Sequence, residues 1–260
     1  QNLWYATPGN GLAAIMYSQS KVKALVGENT KISVNQNTNY PFDGMVEFSF
    51  STPEAVSFPF YLRIPGWCKN PKLFINDEEF EIDASKGSYI KIEREFSDGD
   101  RLTLNLPMDL KLKTWNKNKN SVSVYYGPLS FSLKINENYV QSGGTDEWPA
   151  WDIFPDSEWN YGLDLDQSDP LSGFELVKKD WPDTEMPFTL EGSPLEIKTK
   201  GRKIPQWKLD ENGLVEEIQM SPAKTSEAQE TLTLVPMGAA RIRISSFPTV
   251  STSDDAHIWE

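Results

Sequence analysis

Carboxylates are the most plentiful reactive groups in this chain, so the first question is whether any two could work as a pair. Glu78, Glu79 and Glu81 fall in one short stretch, and Glu93 and Glu95 in another. A glycosidase needs two carboxyl groups facing each other across a pocket, at roughly 5–10 Å. Alternate residues of a strand share a face. Glu93 and Glu95 share theirs with Tyr89 and Lys91, which marks a solvated face rather than a pocket. A self-sufficient carboxylate glycosidase would need convergence in a cleft, and this outward patterning argues against it. The run DLDQSD (164–169) sets Asp164, Asp166 and Ser168 at alternate positions, with Glu175 at the twelfth. A calcium loop needs glycine at its sixth position for the sharp turn. Asp169 stands there instead, so a plain acidic loop is expected.

Nucleophilic chemistry has less to draw on. Cys68 is the single cysteine and His257, three residues from the end, the single histidine. One cysteine excludes an internal disulfide and a multi-thiolate metal site. One terminal histidine leaves no Ser-His-Asp or Cys-His arrangement. Cys68 is therefore expected to be small, half-buried and inert, since nothing in the sequence supplies an activating base or metal.

Aromatic density offers a different chemistry. Trp148, Trp151, Trp159 and Tyr161 lie within fourteen residues. Aromatic faces stack on sugar rings, which makes these four the candidates for carbohydrate contact. The interleaved Pro149, Pro155 and Gly162 point instead to a rigid, wrapped segment in which the rings pack, as large aromatics usually do.

Around these residues the chain reads as strands. In GSYIKIEREFSDGDRLTLNLPM (87–108), Ile90, Ile92, Arg94 and Phe96 alternate with polar neighbours. After Asp98-Gly99-Asp100, Leu102, Leu104 and Leu106 do the same. Period two around Asp-Gly predicts a β-hairpin with an apolar inner face. Similar alternation runs through 31–51, 60–67 and 72–83, where Leu73/Ile75 and Phe80/Ile82 flank the turn Asn76-Asp77-Glu78. Pro53, Pro59, Pro65, Pro71 and Pro107 fall at strand edges, where a missing N–H does least harm. A polar break at KLKTWNKNKNS (111–121) separates this half from strand-like 121–135, 188–209 and 230–248, with Ile242 and Ile244 between arginines. Between them, 141–174 reads as loop-rich. No window of a dozen residues shows a 3.6-residue period. The expectation is all-β: two antiparallel β-sandwich (jelly-roll-like) domains in series, 1–113 and 114–260.

Composition narrows the partners. The 260 residues carry 25 Lys+Arg against 38 Asp+Glu, a net charge of −13, so a phosphate backbone is repelled. The only basic cluster, Lys111, Lys113, Lys117 and Lys119, is read as a solvated loop. No apolar run approaches the roughly 20 residues of a membrane span. Neither nucleic acid nor membrane is expected as a partner. Gln1 opens the chain with no Met, basic region or apolar region, which reads as a mature or excised piece.

A family resemblance joins these blocks. YATPGNGLAAIMYSQS, NTNYPFDG, FYLRIPGWC, GSYIKIEREFSDGDRLTLNLPM and YYGPLSFSL, in this order, resemble the C-terminal half of the β-L-arabinofuranosidase-type glycoside hydrolases, family 127 and its relatives. WPAWDIFPDSEWNYGL and LVPMGAARIRISSFP resemble later blocks of its gut-bacterial members. The resemblance implies that an N-terminal (α/α)6 barrel carries catalysis and that two β-sandwiches follow it. It also implies a zinc-bound cysteine nucleophile, further Cys and Glu ligands and a glutamate acid/base, all in the barrel. None of these roles transfers to a residue here, Cys68 included; zinc is implied for the barrel alone. The chain is then expected to be an inactive accessory region whose partner is the barrel of the same polypeptide. A plant-type polysaccharide or oligosaccharide is the implied substrate, and a periplasmic or secreted location follows. The alternative is a free-standing carbohydrate-binding protein using the 148–161 aromatics.

Overall fold

The computed structural model describes residues 2–251, so His257 lies outside the described residues. The chain is all-β and sandwich-like; the only helical element among the described residues is a single 3-10 turn, Met237–Ala239. It divides into two compact units, Gln1–Asp109 and Leu110–Glu260.

The first unit contains β1 (Trp4–Thr7), β2 (Gly11–Ala14), β3 (Ser20–Val26), β4 (Thr30–Asn37), β5 (Met45–Ser51), β6 (Val56–Arg63), β7 (Lys72–Ile75), β8 (Glu78–Phe80), β9 (Tyr89–Phe96) and β10 (Arg101–Asn105). One sheet has the order β1-β2-β6-β9 and the other β3-β4-β5-β10-β7-β8. All pairings are antiparallel except β2 with β6, which run parallel. Strands patterned apolar on alternate positions need a second layer to bury that face. Here Phe60 and Leu62 of β6 and Ile90 and Ile92 of β9 meet Phe48 and Phe50 of β5 and Leu102 and Leu104 of β10 in one core. Phe50 and Phe96 stack across it with centroids 4.6 Å apart, and Phe48 meets Phe60 edge-on at 5.5 Å. Such pairs add roughly 0.5–1.5 kcal/mol each beyond their buried area.

The inner face expected for 87–108 is present: Ile90, Ile92, Leu102, Leu104 and Leu106 are all buried. The hairpin is not. β9 and β10 belong to different sheets, β9 pairing with β6 and β10 with β5 and β7. The turn explains the difference. A two-residue hairpin of type I′ needs positive φ at both central residues, which matches the twist of paired strands. Only Gly99 (φ 84°) has it, and Asp98 does not. A turn of that kind splays its strands, and this one carries the chain across the sandwich. Asn76 (φ 51°) and Asp77 (φ 68°) are both positive, and they do close a tight hairpin, with Ile75 opposite Glu78.

The crossing is held by Asp100, a carboxylate only 7% exposed. It accepts hydrogen bonds from Asn76 Nδ2 (2.8 Å) and the Ser97 backbone N–H (2.9 Å). The turn backbone exchanges two further bonds with Phe50 at the end of β5.

The second unit contains β11 (Leu110–Trp115), β12 (Ser121–Tyr126), β13 (Leu129–Leu133), β14 (Glu137–Gly144), β15 (Pro149–Pro155), β16 (Tyr161–Leu163), β17 (Glu175–Lys178), β18 (Leu195–Lys203), β19 (Ala223–Lys224), β20 (Gln229–Pro236) and β21 (Val250–Ser251). A seven-stranded sheet has the order β11-β12-β13-β20-β18-β16, with β17 also on β18. β19 and β21 form a short parallel pair. Two expectations change here. The polar break at 111–121 is strand β11 followed by a turn, so Lys111 and Lys113 lie on a strand and only Lys117 and Lys119 in the loop. Lys113 Nζ sits 3.6 Å from the Trp115 ring centroid, and Lys119 pairs with Glu217. The alternation expected through 248 ends at Pro236; Ile242 and Ile244 lie in an irregular segment. That segment still bonds to the sheet, Leu133 N–H to Ile244 O (2.8 Å) and Val122 N–H to Phe247 O (2.7 Å). Buried Val122, Phe131, Leu133, Ile197, Leu234 and Phe247 form the interior of this unit.

Candidate functional site

The 141–174 stretch is more ordered than its composition suggests. Strands β14 and β15 form a two-stranded hairpin with a bulge between Gln141 and Gly143. It closes through Thr145 N–H to Trp148 O (3.0 Å), and Gly144 (φ 79°) has no room for a Cβ beside the Trp148 carbonyl. Among the described residues no strand beyond these two joins this sheet.

The four aromatic candidates separate accordingly. Trp148, at the hairpin tip, is 76% exposed, and Trp151 on β15 is 48% exposed; neither packs inside the described unit. Trp159 is half-buried against Ile204, Ala223 and Val250 and meets Trp207 edge-on at 5.3 Å. Tyr161, on β16, is buried and donates its hydroxyl to Glu230 Oε2 (3.0 Å). Burial and then Glu230 push that phenol up, so it stays protonated. The packing expectation describes Trp159 and Tyr161. Trp148 and Trp151 depart from it: the hairpin that carries them leaves most of the side chains of both its strands exposed.

The remaining candidates are also placed. Glu78, Glu79, Glu81, Glu93 and Glu95 all point to solvent. Asp164 is bound to Arg202 Nε (2.7 Å) and Gln229 Nε2 (2.9 Å), and Asp166 folds back on Ser168. Cys68 is fully rather than half buried, and burial pushes its thiol up against a smaller opposing effect of the Asn70 backbone. Among the described residues no group of three or more His, Cys, Asp and Glu could hold a metal ion. These residues do not fit the zinc that the resemblance assigns to a barrel.

What the structure does assemble is a cleft of about 400 Å³ at the foot of the hairpin. Glu137 opens β14, and its Oε1 accepts from the backbone N–H groups of Arg241 (2.6 Å) and Ile242 (3.3 Å). Tyr139 donates to Glu137 Oε2 (2.7 Å). That bond, and secondarily burial, raises the phenol above its ordinary pKa. Asp156 N–H bonds to Asn136 O (2.7 Å), and Asn136 N–H bonds to Ser157 Oγ (2.9 Å), clamping the hairpin's base. Glu191 arrives from a turn tied by Gly192 N–H to Thr189 Oγ1 (3.0 Å). Phe188, against whose ring a Cβ at Gly238 would press at 2.9 Å, completes the wall. Trp151 stands beside this cleft, edge-on to Tyr139 at 6.4 Å. No local pattern announces it, since Asn136, Glu191 and Arg241 come from three distant segments.

Comparison with known proteins points in one direction. Residues 11–108 match the family model described as β-L-arabinofuranosidase, GH127 middle domain. The non-reducing end β-L-arabinofuranosidase of Bifidobacterium longum subsp. longum is 26% identical over 139 residues, covering 51% of this chain and 19% of that protein. The crystal structure of a GH127 β-L-arabinofuranosidase from Geobacillus stearothermophilus T6 aligns with a TM-score of 0.63 at 23% identity, over 96% of this chain and 34% of that one. A second GH127 β-arabinofuranosidase structure aligns with a TM-score of 0.63 at 19% identity, over 94% and 35%. The chain thus contains a region related to the GH127 β-L-arabinofuranosidases, and it spans about a fifth of the curated relative and a third of the solved ones.

Proposed function

We propose that this chain is the non-catalytic, C-terminal β-sandwich region of a glycoside hydrolase related to the β-L-arabinofuranosidases. In this reading it packs against a catalytic (α/α)6 barrel of the same polypeptide, which works on plant-type polysaccharide or oligosaccharide in the periplasm or outside the cell. The observation that carries it is the match of residues 11–108 to the middle-domain model.

The chemistry of the described residues supports an accessory role. Cys68 is enclosed by the apolar core of the first unit, whereas a nucleophilic thiol must be accessible and easily ionised. The carboxylates of β8 and β9 are spread over solvated faces and do not converge. What the chain offers is two rigid cores.

The test is turnover. The purified chain is expected to release no chromophore from an aryl β-L-arabinofuranoside, with or without added zinc. Mixed with the separately expressed barrel encoded upstream, it is expected to co-elute in gel filtration and to raise the barrel's melting temperature. Hydrolysis by the chain alone, lost on Cys68→Ala, would overturn the proposal.

A further inference from the structure

We infer that the cleft at the foot of the β14–β15 hairpin is a binding subsite for a neutral saccharide. It rests on the reading of the chain as part of a carbohydrate-active protein only for the choice of probes; the geometry is independent of it.

Three observations combine. First, the polar groups are of the kinds that hold vicinal hydroxyls: the carboxylates of Asp156 and Glu191, the Asn136 amide and the Arg241 guanidinium all line one cleft. Ion pairs of this unit engage Glu158, Asp164, Glu196 and Glu217, leaving Asp156 and Glu191 outside any of them among the described residues. Free carboxylates accept hydrogen bonds from hydroxyl groups, and those bonds are charge-assisted. Second, these carboxylates are not grouped closely enough to hold a metal ion. Dispersed acceptors suit a ligand whose donors are themselves dispersed, such as a sugar ring. The acidic lining around a single arginine disfavours an anion.

Third, the apolar part is aromatic and open. Tyr139 and Phe188 line the cleft and are each about two-fifths exposed or more. Glu137 fixes Tyr139 by its hydroxyl and is itself fixed by two backbone N–H groups. The ring is therefore preorganised, which reduces the ordering cost of binding. Trp151, diagonal to Tyr139 across the hairpin, extends the aromatic surface outward for a second ring. A volume of about 400 Å³ is at the small end of ligand pockets and suits one or two sugar rings.

The experiment is a titration of the full chain with L-arabinose, arabinotriose, xylotriose and cellotriose, followed by tryptophan fluorescence and by indole N–H shifts. At least one probe is expected to saturate. The double variant Asp156→Asn/Glu191→Gln should weaken it about tenfold or more with an unchanged melting temperature, because both side chains are exposed. Trp151→Ala should remove the fluorescence change and weaken the trisaccharides more than arabinose. Trp148→Ala, at the far end of the hairpin, should leave affinity unchanged.

No saturation with any probe up to tens of millimolar would overturn the inference, as would saturation that the double variant leaves intact. So would binding by this chain that disappears in the full-length polypeptide, which would make the cleft an interface. None of these results touches the accessory role, which stands or falls on turnover and on association with the barrel.

Discussion

Arg94 on β9 reaches Asp100 at the start of β10, with Nη2 3.3 Å from Oδ2, and so links the two sheets of the first unit where the chain crosses between them. The same guanidinium lies 5.4 Å from the centroid of the Phe96 ring. Burial works against the Asp100 carboxylate, but the hydrogen bonds from Asn76 and Ser97 and the Arg94 charge outweigh it and hold its pKa below the usual carboxylate range.

That shift has a pH consequence. A carboxylate whose folded pKa is depressed contributes stability that is present above its unfolded value, about 3.9, and is lost as pH falls through the folded value. Denaturant midpoints are expected to fall below about pH 4. Asp100→Asn should lower stability at neutral pH by about 1–3 kcal/mol and flatten the acid limb. An equally steep acid limb in the variant would show that other carboxylates dominate it.

Leu104 and Lys91 test the sandwich register. Leu104 is fully buried between the sheets, whereas Lys91 pairs with Glu93 on the outer face of β9. Leu104→Ala should cost about 2–5 kcal/mol through lost burial and a residual cavity. Lys91→Ala should leave the urea midpoint where it is. Comparable losses for both would mean that the inner face is wrongly assigned.

Trp207 and Trp148 should behave oppositely. Trp207 is 2% exposed and donates its indole N–H to Glu216 O at 3.0 Å. Trp207→Ala should cost about 3–5 kcal/mol in a chemical denaturation curve. Trp148→Ala should stay within about 0.5 kcal/mol of the parent, as surface changes usually do. A large loss at Trp148 would show that the hairpin tip is covered.

Glu196 is a buried carboxylate on β18 shared by two cations, Lys134 at 2.9 Å and Lys179 at 2.7 Å. Burial raises its pKa, but the two lysines overcome that and hold it below the ordinary value. Both lysines are about a third exposed and can turn to water, so Glu196→Gln should cost about 1–3 kcal/mol rather than the full penalty of a stranded buried charge. Lys179→Met, which leaves Lys134 in place, should cost less in the same thermal melts. A larger loss for the lysine would show that Glu196 depends on one partner alone.

The strand faces were legible because period two is a local property: Ile90, Ile92, Leu102 and Leu104 alternate with polar residues whichever strand they pair with. The tight turn at Asn76-Asp77 was legible for a similar reason, since residues that tolerate positive φ sit where it is needed. The 111–121 break misled because Lys111, Lys113 and Lys117 suggest a loop, while Leu110 and Leu112 are enough to place β11 beside β12. The aromatic density of 148–161 was visible, but not the fate of each ring. Nothing local in the sequence marks Tyr139, on the open hairpin, or the cleft it lines, whose walls come from distant segments.

The sequence by itself determined the all-β class, the buried faces of the alternating strands around 87–108 and the kinship of the first unit, because these depend on residue types at short separations. Only the tertiary structure decided which strands pair. Asp98-Gly99 joins two sheets instead of two neighbours because a single positive φ, at Gly99, cannot give the twist that a hairpin requires. Only the tertiary structure, likewise, brought Asp156, Glu191 and Arg241 to one cleft with Tyr139. Contacts across such long separations follow from how whole sheets pack, and no window of the sequence contains both partners.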